Sequence, residues 1–124
     1  RDWSQVSGFI QVNNFLFTVT EIFEFAARLC QKGIYQGKLT IAVELDDIEG
    51  FLLLPGVNRA WRDYCVAHES ELSRSGSGPR SELVANSAEH ALQVVVWFFE
   101  RFGWERPNVD IIRKDQQDFL NRRL

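Results

Sequence analysis

The chain reads as an α+β fold: an antiparallel sheet of three to five strands, two main helices packed on one face, and a C-terminal helix at an edge. Three observations predict it. Leu39, Ile41, Val43 and Leu45 alternate with Thr40, Ala42 and Glu44, the period of a strand with one buried face. Two longer segments, stopping at Gly33 and Gly103, repeat apolar residues at the three-and-four spacing of a buried helix face. No repeat, low-complexity block or dividing linker interrupts them, so residues 1–124 are expected to form a single domain.

The elements follow in order. From Gln5 to Phe17, apolar residues surround the turn-tolerant pair Asn13-Asn14, which reads as a short strand or hairpin. Thr18 precedes Glu21 by three residues, the spacing of a reciprocal helix cap, so the first helix is expected over Val19 to Lys32. Val19, Ile22, Phe23, Ala26, Ala27 and Cys30 would form its buried face, widened by Phe25 and Leu29, and Gly33 followed by Ile34 would stop it. The strand at Leu39–Leu45 would then turn through Asp46-Asp47-Ile48-Glu49-Gly50 into Phe51–Leu54, an antiparallel hairpin closed by Pro55-Gly56. A third strand is placed from Tyr64 to Leu72, and Ser73 to Pro79, small and glycine-containing, reads as a flexible loop. A helical piece from Ser81 to Ala85 leads to Asn86, which stands three residues before Glu89 in a second capping arrangement. The second main helix then runs to Phe102 and stops at Gly103. Pro107-Asn108 opens a more polar helix carrying Val109, Ile112, Phe119 and Leu120 toward Leu124.

Charge and composition narrow the function classes. Fourteen Lys and Arg stand against 17 Asp and Glu, a formal net charge of −3, which argues against a general nucleic-acid glove. At 45% hydrophobic and 25% charged the chain has the composition of an ordinary globular domain. Its longest wholly apolar run, Val94 to Phe99, is far short of the ~20 residues that span a bilayer, so no membrane partner is expected. Cys30 and Cys65 lie apart within apolar patterns, which fits buried thiols in the cytoplasm better than a disulfide framework. The chain has no methionine and opens on Arg1-Asp2-Trp3, as a C-terminal piece of a larger protein would.

Candidate chemistry is sparse. Cys30, Cys65, His68 and His90 are all the cysteines and histidines, but Cys65 and His68, three apart on a strand, would point to opposite faces. No metal and no cofactor are therefore expected. The acids from Glu44 to Glu49, with Glu69 and Glu71, could in principle divide acid and base work, yet a turn is acidic because it is solvated. No nucleophile elbow, phosphate-binding loop or dinucleotide fingerprint occurs, so no enzyme is expected. Arg113, Lys114, Arg122 and Arg123 make the last segment locally basic and are candidate phosphate contacts, although Asp110, Asp115 and Asp118 interleave with them. The strongest positive signal is the aromatic content, 10 Phe, 4 Trp and 2 Tyr. Six consecutive apolar residues from Val94 to Phe99 point all around a helix, so part of Trp97, Phe98, Phe99, Phe102 and Trp104 would remain as a candidate protein interface unless neighbouring helices cover it.

The segments TEIFEFAARL (Thr20 to Leu29), FFERFGW (Phe98 to Trp104) and DQQDFLNRRL (Asp115 to Leu124) together resemble the C-terminal part of bacterial multidomain proteins of the Schlafen AlbA-like class. In those proteins a predicted nucleic-acid-binding or ATP-binding domain lies upstream. The resemblance implies an accessory domain of a DNA-binding or defence-related protein, and its matching residues are apolar and capping ones that transfer no chemistry. The function expected is therefore a non-catalytic interaction or regulatory module, docking the upstream domain of the same chain or a second copy. The alternative is a nucleic-acid-contacting domain using the basic tail. A hydrolase built on the Glu44–Glu49 acids is a third reading, which metal-dependent turnover would reveal.

Overall fold

The computed structural model describes residues 8–33, 39–49, 51–54, 65–66, 69, 71–78, 80–104 and 107–122. The class is α+β with a C-terminal helix, and the chain order is β1 (Gly8–Gln11), α1 (Val12–Gln31), β2 (Leu39–Asp46), β3 (Phe51–Leu54), β4 (Cys65–Val66), β5 (Glu71–Gly78), α2 (Arg80–Ala85), α3 (Ser87–Arg101) and α4 (Val109–Arg122). The strands divide into two sheets, β1-β3-β4 and β2-β5.

The first correction concerns where α1 begins. It starts at Val12, directly from the last residue of β1, so most of the expected strand or hairpin before Phe17 is helix; the part before Gly8 lies outside the described residues. Val12, Leu16, Val19, Thr20, Phe23, Ala27 and Cys30 recur at helical spacing and are buried, which extends the apolar stripe well upstream of Thr18. Asn13 and Asn14 sit in the first turn without breaking it, and Thr18 is an exposed mid-helix residue rather than a cap. Gln11 occupies the cap position without a side-chain hydrogen bond, so a strand that runs straight into a helix leaves no cap signature to read. Ile22 and Phe25, expected on the buried face, are exposed, Phe25 at 62%. The expected stop stands: Gly33 has φ 72°, and its N–H donates to the Cys30 carbonyl. Ile34 lies outside the described residues.

Strand pairing differs from the expected hairpin. Strand β2 pairs antiparallel not with β3 but with β5, in register from Leu39 opposite Gly78 to Asp46 opposite Glu71. Ser73 to Gly78, read as a flexible loop, is thus a paired strand, and the single strand expected over Tyr64 to Leu72 is replaced by β4 and the start of β5, in separate sheets. Strand β3 instead pairs in parallel with β1 and antiparallel with β4, so the sheet is mixed rather than antiparallel throughout. Parallel neighbours need a long crossover, and α1 lies in that connection. The β1/β3 register sets Gly8 opposite Phe51, and a Cβ built on Gly8 would come within 2.7 Å of the Phe51 ring, so glycine lets the ring lie across the strand.

The core lies between α1 and α3, with Leu53 of β3, Ile41 of β2 and Leu72 of β5 at its strand side. Helix α3 is central: Ala91, Leu92, Val94, Val95, Phe98 and Phe99 are all buried. Phe15 of α1 meets Phe98 edge-on, with ring centroids 5.2 Å apart, and Phe99 at 5.9 Å. Asn86 does precede α3, but its side chain donates to Glu82 Oε1 at 3.1 Å and makes no cap bond, while Glu89 turns to Arg113. The expected capping box is therefore not formed. Where α3 ends, the N–H of Gly103 bonds the Glu100 carbonyl and that of Trp104 bonds the Phe99 carbonyl, with Gly103 at φ 94°. This paired closure, with the Trp104 ring 5.5 Å from that of Phe99, is a Schellman stop with its apolar contact.

Helix α4 is attached differently. Asn108 caps it by accepting the Ile111 N–H at 3.3 Å, and of its residues only Ile112 and Gln116 are buried. Gln116 donates to Thr20 Oγ1 of α1 at 3.1 Å and to the Ala88 carbonyl of α3 at 2.8 Å, so one amide pins three helices. Phe119 stacks on Phe17 at 4.3 Å with an interplanar angle of 6°. Ser87 at the start of α3 donates to Glu24 Oε1 of α1 at 2.7 Å. Among the described residues no buried side-chain nitrogen or oxygen lacks a partner. No helix among them is long and apolar enough to cross a membrane.

Candidate functional site

The structure divides the expected aromatic interface. Phe98, Phe99 and Phe102 are at most 1% exposed, so they are core and cannot form an exposed patch on this chain. Phe15 of α1 lies against the rings of Phe98 and Phe99 and supplies part of their cover. Trp104 is half-buried and belongs to the helix stop. Of the group, Trp97 lines an open cavity, a groove of about 370 Å³ running along α3 toward the start of α4.

The groove is built from residues one or two helical turns apart. Leu92, Val96 and Trp97 of α3 and Val109 of α4 form its apolar floor, because successive turns of α3 present them on the flank that α4 leaves open. Glu89, Gln93 and Glu100 form a polar rim on the same helix, and Arg74 of β5 adds a guanidinium to the lining. The guanidinium carbon of Arg74 lies 5.5 Å from the Trp97 ring centroid and that of Arg101 lies 4.8 Å away. Trp97 also meets Phe98 edge-on at 5.0 Å, which anchors its ring to the core.

The expected phosphate contacts are largely engaged. Arg113 Nη2 donates to both carboxylate oxygens of Glu89 at 3.2 Å, and its Nη1 lies 3.7 Å from Asp110 Oδ1. Lys114 donates to Asp118 at 2.8 Å, and this hydrogen bond holds the Asp118 carboxyl below its ordinary value against the opposing effect of desolvation, with the charges of Lys114 and Arg122 adding to the lowering. Arg122 ends α4, and Arg123 lies outside the described residues. Carboxylates thus answer much of the basic character of this segment.

The remaining candidates do not converge. Glu44, Asp46, Asp47, Glu49, Glu69 and Glu71 are all exposed, and Asp47 takes φ 55° in the turn leaving β2, a conformation that aspartate tolerates. Cys30 is buried on the inner face of α1, while His90 sits on α3 with Nε2 3.4 Å from Glu82 Oε1. The Cys65 side chain and His68 lie outside the described residues. Among the described residues no three His, Cys, Asp or Glu side chains gather as a metal site would require.

Sequence reasoning found Trp97 but missed Arg74, Gln93 and Val109 as its companions. Arg101 was legible, four residues after Trp97 and so on the same helical flank. Arg74 was not, since it lies in a stretch that reads as a loop until pairing with β2 makes it a strand. No family model, curated protein or solved structure matches this chain.

Proposed function

We propose that this chain is a non-catalytic interaction module whose docking surface is the groove beside Trp97. It would serve as the accessory part of a larger cytoplasmic bacterial protein that binds DNA or acts in defence. The single observation that supports the docking role is the groove itself. It has a half-buried apolar floor at Val96, Trp97 and Val109 within a polar rim, on a helix whose other aromatics are consumed by the core. The wider assignment to a multidomain protein rests on the resemblance carried by Thr20–Leu29, Phe98–Trp104 and Asp115–Leu124. Two features of that resemblance have physical roles here, the Phe99, Gly103 and Trp104 stop and the Phe119 stack.

The non-catalytic reading is supported by the exposure of Glu44, Asp46, Asp47, Glu49, Glu69 and Glu71, which leaves those acids solvated. Nucleic-acid contact through Arg113, Lys114, Arg122 and Arg123 has less support, because Arg113 and Lys114 already face carboxylates. Screening an unbiased set of short peptides by amide and indole chemical shifts tests the docking role. Saturable shifts at Val96, Trp97 and Val109, lost in a Gln93→Trp variant that fills the exposed rim, are expected. Saturable binding that maps elsewhere on the chain, or none at all, overturns it.

A further inference from the structure

We propose that a second copy of this chain docks on the outer flank of α1, the two α1 helices pairing antiparallel about a two-fold axis that passes between Ile22 and Phe25. This surface shares no residue with the groove and does not depend on its docking role. Helix α1 buries Val19, Phe23 and Ala27 against the rest of the chain, yet Ile22 and Phe25 on its other side are 43% and 62% exposed. Among the described residues the exposed large apolar side chains are these two and Ile111 of α4. Thr18, exposed, and Leu29, half-buried, extend the same stripe. Thr18, Ile22, Phe25 and Leu29 follow at intervals of four, three and four, so at 3.6 residues per turn they fall within an arc of about 60°. That is the seam spacing of paired helices.

Charge complementarity names the occupant. Glu21 and Arg28 are both exposed and stand seven residues apart, so they lie along one edge of the seam. With Ile22 opposite Phe25 of the second copy in the antiparallel sense, Thr18 faces Leu29 at each end and Glu21 of either copy lies beside Arg28 of the other. The centre of the interface is then made by the two most exposed apolar side chains of the flank, and both edge contacts are of opposite sign. In a parallel pair the same edge would meet Ala26 and Gly33, which answer neither charge. From Thr18 to Leu29 the seam is about 17 Å long at 1.5 Å per residue, which sets it at the small end of specific interfaces and makes the association concentration-dependent.

Sedimentation equilibrium of the whole chain from about 10 μM to about 1 mM is the test, and a monomer–dimer equilibrium within that range is expected. Phe25→Asp should weaken the dimer about tenfold or more, and because Phe25 is exposed the variant should keep the thermal midpoint of the unsubstituted chain. Glu21→Arg and Arg28→Glu should each weaken self-association about threefold at low salt, since each sets like charges opposite one another. An equimolar mixture of those two variants should regain the lost affinity, because one chain then carries two cations along the edge and the other two anions. A mixture of isotope-labelled and unlabelled chain, which needs no substitution, should show contacts across copies between the Phe25 ring and the Ile22 methyl groups. A chain that stays monomeric throughout the range overturns the proposal. So does a dimer indifferent to Phe25→Asp, a dimer whose cross-copy contacts map to the Trp97 groove, or a mixture of the two charge variants that associates no better than either variant alone.

Discussion

Helices α3 and α4 both pack on α1, yet they are held there by different physics. Helix α3 buries Leu92, Val94, Val95, Phe98 and Phe99, and its attachment is a continuous apolar surface that many side-chain arrangements could satisfy. Helix α4 buries only Ile112 and Gln116, and its seat is set by one amide bonding two helices, one ring stack and the Arg113–Glu89 ion pair. Apolar burial supplies most of the stability, and directional contacts fix where the less apolar helix sits. The groove lies along the seam between these two modes, where α4 is too polar to cover the outer flank of α3 completely.

The largest effect that would break the comparison is expected at Phe98. Phe98→Ala should cost about 3–5 kcal/mol through lost burial and a cavity, and urea unfolding would show a lower midpoint with an unchanged slope. A loss as small as that of an exposed site would mean that α3 is not the centre of the core. Next is Gln116→Leu, which removes the amide's bonds to Thr20 and to the Ala88 carbonyl, at about 1–3 kcal/mol. Amide exchange should quicken in α4 while α3 stays protected, and Thr20→Val combined with it should be less than additive. Uniform quickening across both helices would abolish the distinction drawn here.

Gly103→Ala sharpens the comparison at the end of α3. A Cβ there meets no atom within 4 Å, so the cost comes from the backbone at φ 94° alone, about 1–2 kcal/mol, read as a lower thermal midpoint. The smallest effect belongs to the surface of α4. Because the folded chain holds the Asp118 carboxyl below its ordinary 3.8, its contribution is complete above that value and disappears as pH falls through the lowered one. An acid titration of α4 by NMR should show its last two turns loosening in that range, and Lys114→Gln should move the event toward the ordinary value. A titration unchanged by that substitution would remove the Lys114 bond as its cause.

Much of this was legible in the residues. The helix stops at Gly33 and Gly103 and the opening of α4 at Pro107-Asn108 all depend on contacts within a few positions of one another, and their sequence signatures hold. The α1 start was misread because Gln11 passes from strand to helix without a capping bond, so Asn13-Asn14 and Thr18 offered plausible but inactive signals. The β2 partner was misread for another reason. Asp46 to Gly50 has turn chemistry, but turn chemistry does not state whether the next strand folds back, and β3 is drawn instead to β1 across α1.

The same division holds for the candidate site. Sequence by itself determined the α+β class and the helical identity of α3 and α4, since these follow from periodicity and short-range geometry. Only the tertiary structure decided that Phe98, Phe99 and Phe102 are core, that Ser73–Gly78 is a strand carrying Arg74 to Trp97, and that Gln116 joins three helices. Each of those outcomes depends on residues far apart in the chain, where the choice among partners is made by the area buried and the polar groups satisfied once the whole chain has packed.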